Sequence, residues 1–231
     1  MDAKSLTYAL IADAFKRLVE KKDFNKITVK MIAAESGIMR STFYNYFQDK
    51  YEILEWIVKS EISDKVIILI EKEMYVEALS LMFSCVEDDK KFFKRAFAIT
   101  GQNGFEGILA AAFKKLFLEV YKSVDFNYDN KVITRDTISQ YQSIALVTYI
   151  KMWIYDECYG SDVGYSEVCE AYMFMLTQGS SMISHSKLLE SLAEAVSKKL
   201  SSSFKKIPEI IAKKKYFKLM EYIAFFDLLT I

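Results

Sequence analysis

A single proline, Pro208, interrupts 231 residues, and only seven glycines join it. These two residues are the strongest breakers of regular structure, so a chain this poor in both is committed to long elements. Its apolar residues recur at steps of three and four rather than two, which selects helices over strands. Hydrophobic residues make up 52% of the chain, enough for a sizeable core at a length that suits one large or two small domains. The expected fold class is all-α.

Charge and chemistry narrow the function. The chain carries 31 basic and 31 acidic residues, so any attraction for a polyanion must be local. Cys85, Cys158 and Cys169 have neither zinc-site spacing nor the even count of a disulfide framework, and read as buried thiols in a reducing compartment. The N-terminal stretch MDAKSLTYALIADAFKRL carries charges throughout, unlike a signal peptide. No run reaches the roughly 18 apolar residues that cross a bilayer. The expected location is cytoplasmic, without membrane insertion. The one histidine, His185, lies in SSMISHSK without a nucleophile and orienting group around it. Asp156, Glu157 and Asp162 read as carboxylates at a helix end. Gly101, Gly104 and Gly107 lack the Lys-Ser/Thr and preceding strand of a phosphate loop. Neither an enzyme nor a metal or cofactor site is expected.

Several helices can be placed along the chain. Leu6, Leu10, Ile11, Ala14, Phe15 and Leu18 form one stripe over residues 5–21. Thr28 is a good N-cap for a short second helix with Val29, Ile32 and Ala33 on one face. Gly37 stands where that helix should stop. A third short helix is expected at about 40–46. Asp49 opens a fourth and has capping-box spacing to Glu52; the stripe of Tyr51, Leu54, Ile57, Val58, Ile62, Val66 and Leu69 carries it to about residue 71. Further helices are expected at about 74–86, 90–98, 105–123, 134–158, 165–179, 186–200 and from 208.

Two short helices about a glycine turn, behind a supporting helix, make a helix-turn-helix pattern. On the third helix Phe43 and Phe47 share one side, and Arg40, Ser41, Tyr44 and Asn45 share the other. That second side offers donors of several lengths on a rod narrow enough for a major groove about 12 Å wide. Thr42, Tyr46 and Lys50 flank it and suit phosphate oxygens, and the N–H groups opening the fourth helix offer a further anion site. Aromatic residues at helical spacing are also what a plain core requires. Residues 1–60 hold ten Lys/Arg against eight Asp/Glu, so charge alone does not choose between these readings.

The segment ITVKMIAAESGIMRSTFYNYFQDKYEIL at 27–54 resembles the DNA-binding signature of the TetR family of bacterial regulators, through Thr28, Ile32, Ala33, Gly37, Thr42, Phe43, Tyr44, Tyr46, Phe47, Lys50 and Leu54. The resemblance implies a helix-turn-helix DNA-binding domain at 1–48. A helical regulatory and dimerisation domain would then span 49–231, with a connecting helix at 49–71 and an extension from about 180. It implies duplex contact by Thr28, Lys30, Met39, Arg40, Ser41, Thr42, Tyr44, Asn45, Tyr46 and Lys50, with Arg40 and Ser41 toward base edges. Met39-Arg40 departs from the small hydroxyl residue more usual early in this turn. DDKKFFKRAFAITGQNGFEGIL and KMWIYDECYG, within about 85–178, resemble the C-terminal domain of the group named for regulators of dihydroxyacetone kinase genes. Such domains mediate dimerisation, and some work through a protein co-regulator or an unidentified effector. The resemblance thus implies DNA affinity controlled by an effector or a protein partner through the C-terminal domain.

The resemblance implies a transcriptional regulator, repressor or activator, that binds palindromic double-stranded DNA as a homodimer. The family's last two domain helices form a four-helix bundle with the partner chain. Here they correspond to 134–158 and 165–179, where Ile144, Val147, Ile150, Ile154, Tyr172, Met175 and Leu176 offer more than one packing face. Aromatics crowd the middle helices and suit a core. An effector pocket, if the chain has one, would involve Phe97, Gln102, Asn103, Phe113, Tyr149 and Trp153. Residues 198–218 hold eight lysines and one glutamate. They suit an amphipathic helix docked on the body, an acidic partner, nucleic acid or an anionic membrane surface. The rival reading is a helical interaction module or co-regulator that acts mainly through protein contacts.

Overall fold

The computed structural model describes residues 3–101, 103–122, 131–156 and 163–184. Every regular element among the described residues is helical, and the chain is all-α. It divides into a unit of Met1–Tyr165 and another of Ser166–Ile231. In the first, α1 (Ala3–Lys21) precedes a 3-10 turn (Phe24–Lys26), α2 (Val29–Glu35) and α3 (Arg40–Phe43). The connecting helix is built from α4 (Lys50–Ile57), a π-helical segment (Val58–Ser63) and α5 (Asp64–Ile70). The body continues through α6 (Tyr75–Asp88), α7 (Lys90–Ala96), α8 (Phe105–Val120) and α9 (Arg135–Ile154), with α8 and α9 forming the most extensive helix pair. Most of α10 (Tyr165–Ser184) belongs to the second unit, where Val168, Cys169 and Tyr172 are buried.

The first helix differs from its expected stripe. Ile11, Ala14, Phe15 and Leu18 are buried as their spacing requires, together with Ala12 and Val19. Leu6 and Leu10, however, are 55% and 46% exposed. At about 100° per residue, they fall on the side of exposed Asp13 and Arg17, not of Ile11 and Phe15. The place expected for Leu6 in the stripe is taken by Tyr8, which packs against Phe47 and Trp56.

Local chemistry sets the next three boundaries. The Thr28 hydroxyl accepts from the Met31 N–H at 3.3 Å, capping α2. At its other end Gly37 adopts φ +69°, while Gly37 N–H reaches Ala34 O and Ile38 N–H reaches Ala33 O. This pair of bonds is a Schellman stop, which needs a residue in the left-handed region. Asp49 Oδ1 accepts from the N–H groups of Tyr51 at 2.8 Å and Glu52 at 3.0 Å. The Glu52 carboxylate returns to the Gln48 N–H at 2.6 Å, one residue earlier than the standard capping box.

The connecting helix reaches Ile70, with Leu54, Ile57, Val58, Ile62 and Val66 buried as expected. The sequence does not announce its π segment. Buried positions 54, 58, 62, 66 and 70 step by four, and in a straight α-helix each such step drifts about 40° around the axis. A wider π turn takes up part of that drift. The segment therefore keeps one side of a long helix against the core.

The interior of the body is aromatic. Phe83 meets Tyr149 and Trp153 edge-on at 6.2 and 5.9 Å, and Phe105 packs against Phe92, Phe93 and Phe97. No described helix is long and apolar enough to cross a membrane, and no described group of side chains could hold a metal ion. Cys169 is buried as expected, while Cys85 is only half-buried; burial raises the Cys85 thiol and pushes Cys169 up to about 11. Cys158, His185 and the basic segment 198–218 lie outside the described residues.

Two left-handed positions give opposite expectations for stability. Nothing lies within 4 Å of a Cβ built on Gly37, so its constraint is the backbone alone. Gly37→Ala should lose about 1–2 kcal/mol in chemical denaturation. Glu73 holds φ 60° without glycine's freedom, so Glu73→Gly should raise the melting temperature.

Candidate nucleic-acid interface

Phe43 and Phe47 are 0% and 1% exposed and fix the orientation of the third helix. Their burial stabilises the head by about 2–3 kcal/mol each. Tyr8 of α1 organises a second layer. Its ring meets Tyr46 at 5.0 Å and Phe47 at 5.1 Å edge-on, and stacks on Trp56 at 5.8 Å. Sequence reading passed over Tyr8 and Trp56. For Tyr8 the signal was present, because it stands three or four residues before Ile11 and Ala12 on the buried side.

The third helix is shorter than expected, Arg40–Phe43 rather than 40–46. After Phe43 the chain tightens: Asn45 N–H reaches Thr42 O and Tyr46 N–H reaches Phe43 O, both three residues back. Asn45, at the point of tightening, is a modest helix former that competes for backbone bonds. Phe47 N–H still reaches Phe43 O, so the segment remains one compact turn beyond the helix.

Around the phenylalanines, Met39, Arg40, Ser41, Tyr44 and Asn45 are exposed, with Met39 at 72% and Tyr44 at 49%. The Tyr44 ring meets Phe43 edge-on at 5.5 Å. Arg40 Nη2 donates to Tyr44 Oη at 3.2 Å, and its guanidinium carbon lies 5.7 Å from the Tyr44 ring centroid. This contact holds two long side chains together while leaving other guanidinium donors for a base or phosphate. Thr28 and Lys30 are exposed at the start of α2. The Thr28 oxygen is engaged as a cap, but its proton can still be donated. Thr42 and Tyr46 are half-buried, and Tyr46 belongs as much to the Tyr8 cluster as to the surface.

Lys50 is placed differently from a free phosphate ligand. Its ammonium donates to Phe24 O at 2.7 Å and Ile27 O at 3.1 Å, and lies 4.1 Å from the Phe24 ring centroid. Burial, only partly offset by Asp23 and Asp49, lowers its pKa. The expected anion site beside it is also altered, because the Asp49 carboxylate already takes the N–H groups of Tyr51 and Glu52. Carboxylate capping replaces an external anion there.

Most of the residues expected to line an effector pocket lie in the interior. Phe97, Phe113, Tyr149 and Trp153 are buried, Asn103 is exposed, and Gln102 lies outside the described residues. Trp153 Nε1 donates to Val163 O at 3.1 Å. Two grooves open elsewhere. One of about 760 Å³ runs along α8 and α9 past Gly107, Ala111, Gln140, Ile144 and Thr148. Another of about 510 Å³ lies between the connecting helix and α8.

Removing the Lys50 ammonium leaves two sheltered carbonyls without that donor. Lys50→Met should destabilise the head by about 1–3 kcal/mol in thermal unfolding without DNA. Asp49→Ala should cost about 1 kcal/mol through loss of the cap.

Comparisons with known proteins agree with this geometry. The N-terminal model of the bacterial regulatory proteins of the tetR family matches residues 11–57, and a transcriptional regulator C-terminal region matches 73–162, together more than half of the chain. The dhaKLM operon transcriptional activator DhaS of Lactococcus lactis is 25% identical over 150 residues, covering 63% of this chain and 78% of that protein. A solved structure of a dihydroxyacetone kinase operon activator DhaS has a TM-score of 0.50 at 24% identity, covering 71% of this chain and 93% of the other. A tetR-family transcriptional regulator from Streptomyces coelicolor shares the fold with a TM-score of 0.51 at 11% identity, covering 89% and 99%. The helix-turn-helix, the helical body and both matched regions agree: the chain belongs to the TetR family of transcriptional regulators.

Proposed function

We propose that this regulator binds palindromic operator DNA as a homodimer and that events on its C-terminal domain control the affinity. One observation supports this most: buried Phe43 and Phe47 leave Arg40, Ser41, Tyr44 and Asn45 facing outward on a helix-turn-helix. In this reading Arg40 and Ser41 meet base edges. Thr28, Lys30, Thr42 and Tyr44 contact mainly phosphates and fix the register. Met39 supplies apolar contact beside them, and Asn45 adds a polar one. Tyr46 and Lys50 contribute chiefly by holding the face in shape, with Lys50 keeping one N–H beyond its two carbonyl bonds.

A lone recognition helix reads only a few base pairs, and two heads on a two-fold axis read half-sites about 34–36 Å apart or a multiple. The segments 134–158 and 165–179 each present apolar surface suited to a partner chain. Tyr141 is 68% and Ile144 51% exposed on α9, and Phe174 is 58% exposed on α10. Val147, Ile150 and Ile154 are buried and serve the chain's own core. Met175 and Leu176 fall outside the described side chains.

Control by a protein co-regulator fits the body better than control by a ligand among Phe97, Phe113, Tyr149 and Trp153. Those rings already pack into the interior, so a ligand would have to part them. The groove between the connecting helix and α8 is reachable without that cost and is not lined by Ile144. Activation of an operon, as in the name of the Lactococcus relative, is the proposed sign of regulation. The rival interaction-module reading predicts retention of partner binding without specific DNA binding.

Gel shifts with the DNA upstream of its own gene test the reading. Arg40→Ala should weaken specific binding by about 1–3 kcal/mol and relax selectivity, whereas Lys30→Ala should weaken all sequences and reduce the salt slope by about one. Undiminished binding in Arg40→Ala and Tyr44→Ala together would remove this face from the interface. Ile144→Asp should yield monomers in sedimentation, and a persistent dimer would place the interface elsewhere.

A further inference from the structure

Lys16 reaches from α1 to two other parts of the chain. Its ammonium donates to both carboxylate oxygens of Glu61 at 2.9 and 3.1 Å and to Asp89 Oδ2 at 2.7 Å. Glu61 belongs to the π segment of the connecting helix, and Asp89 stands immediately before α7. Asp13 adds a more distant carboxylate at 4.0 Å. The cluster is sheltered: the side chains of Lys16, Glu61 and Asp89 are 14%, 25% and 34% exposed. One ammonium thus joins a head helix, the connecting helix and the body.

The ionisation shifts fit this crowding. Burial opposes the Lys16 charge, but Asp89 and Glu61 outweigh it and hold its pKa above the usual range. Burial, ahead of the opposing Lys16 contact, pushes the Glu61 carboxyl up. One ammonium here serves two close carboxylates. The short distances to both support the ionised arrangement.

Glu61 is also fixed through its backbone. The π segment contains a bond from Asp64 N–H to Lys59 O, five residues back. Ser63 Oγ reaches Val58 O at 3.4 Å, and Lys59 Nζ reaches the Asp64 carboxylate at 2.8 and 2.9 Å. Residues five apart meet across a π turn but diverge on an α turn. At the middle of this segment the Cys85 thiol donates to Glu61 O at 3.3 Å. The wide turn is thereby anchored at one residue by a side-chain clasp from the head and a backbone contact from α6.

We propose that Lys16, Glu61 and Asp89 are positioning residues, a charge clasp that holds the connecting helix in its π register and so sets the angle of the DNA-reading head on the body. The consequence for DNA rests on the function proposed above, while the clasp itself is tested without DNA. Release of Lys16 frees the segment to open and interchange between its π turn and an α turn, a shift of one residue whose rise is about 1.5 Å. The contact of α1 with α7 remains and keeps the head attached.

Hydrogen exchange by mass spectrometry on the full chain separates this role from general stabilisation. In Lys16→Met and in the nearly isosteric Glu61→Gln, amides of 58–63 should exchange about tenfold faster, while those of 11–19 and 105–120 stay within about twofold. Lys16→Arg, which keeps a cation with several donors, should restore slow exchange. Unchanged exchange at 58–63 in Glu61→Gln, or an equal rise throughout the chain, overturns the clasp. On duplexes selected by the wild-type protein from a random pool, Lys16→Met should lower affinity about tenfold without changing the salt slope, since no phosphate contact is removed. Unchanged affinity alongside faster exchange at 58–63 would overturn the head-positioning role. If the wild-type protein selects no duplex, the DNA reading fails while the exchange result still decides the clasp.

Discussion

Phe43, which ends the third helix, and Phe47, in the compact turn beyond it, are almost wholly buried and pin one side of this segment to the head. Their burial has a directional consequence. A helix with one side held by packing has no freedom left to choose which residues face outward. Arg40, Ser41, Tyr44 and Asn45 are presented because the phenylalanines are not. Tyr8 and Trp56 extend the hold by packing Phe47 from α1 and α4, so the head depends on aromatic contacts from three separate parts of the chain.

The outer surface is prepared as well as exposed. Arg40 leans over the Tyr44 ring and donates to its hydroxyl, which restricts both side chains and, in the proposed reading, orders them before a duplex arrives. Ordering side chains in advance lowers the entropy lost on binding. Lys50 serves the same end from the other direction. Its charge is spent on the carbonyls of Phe24 and Ile27, tying the 3-10 turn region to the start of α4. A lysine in a DNA-binding signature can therefore act through architecture as much as through a phosphate.

The local devices were legible from residue type and spacing. Thr28 caps α2, Gly37 takes the left-handed conformation, and Asp49 caps α4, because each choice is governed by neighbours only a few residues away. The sides assigned to Phe43 and Arg40 were legible for the same reason. The fate of Leu6 and Leu10 required knowing which of two adjacent apolar stripes the core would take. The π segment leaves no local signature, since it answers to packing over five helical turns. Lys50 has two partners more than 20 positions upstream, and Lys16 finds its own 45 and 73 positions away. No periodicity encodes such meetings. The body was likewise readable as helical, while its aromatics proved to be mutually packed.

The Lys16 contacts bear on how freely the two halves of such a protein can be recombined. A chimera joined just before Asp49 would import a foreign first helix but retain Glu61 and Asp89 from this chain. Unless the donor carried a cation at the matching position, two half-sheltered carboxylates would be left facing each other across the new junction. Transplanted specificity would then arrive with an electrostatic defect remote from the operator, and compatibility between modules would be written at residue 16 as much as along the recognition helix.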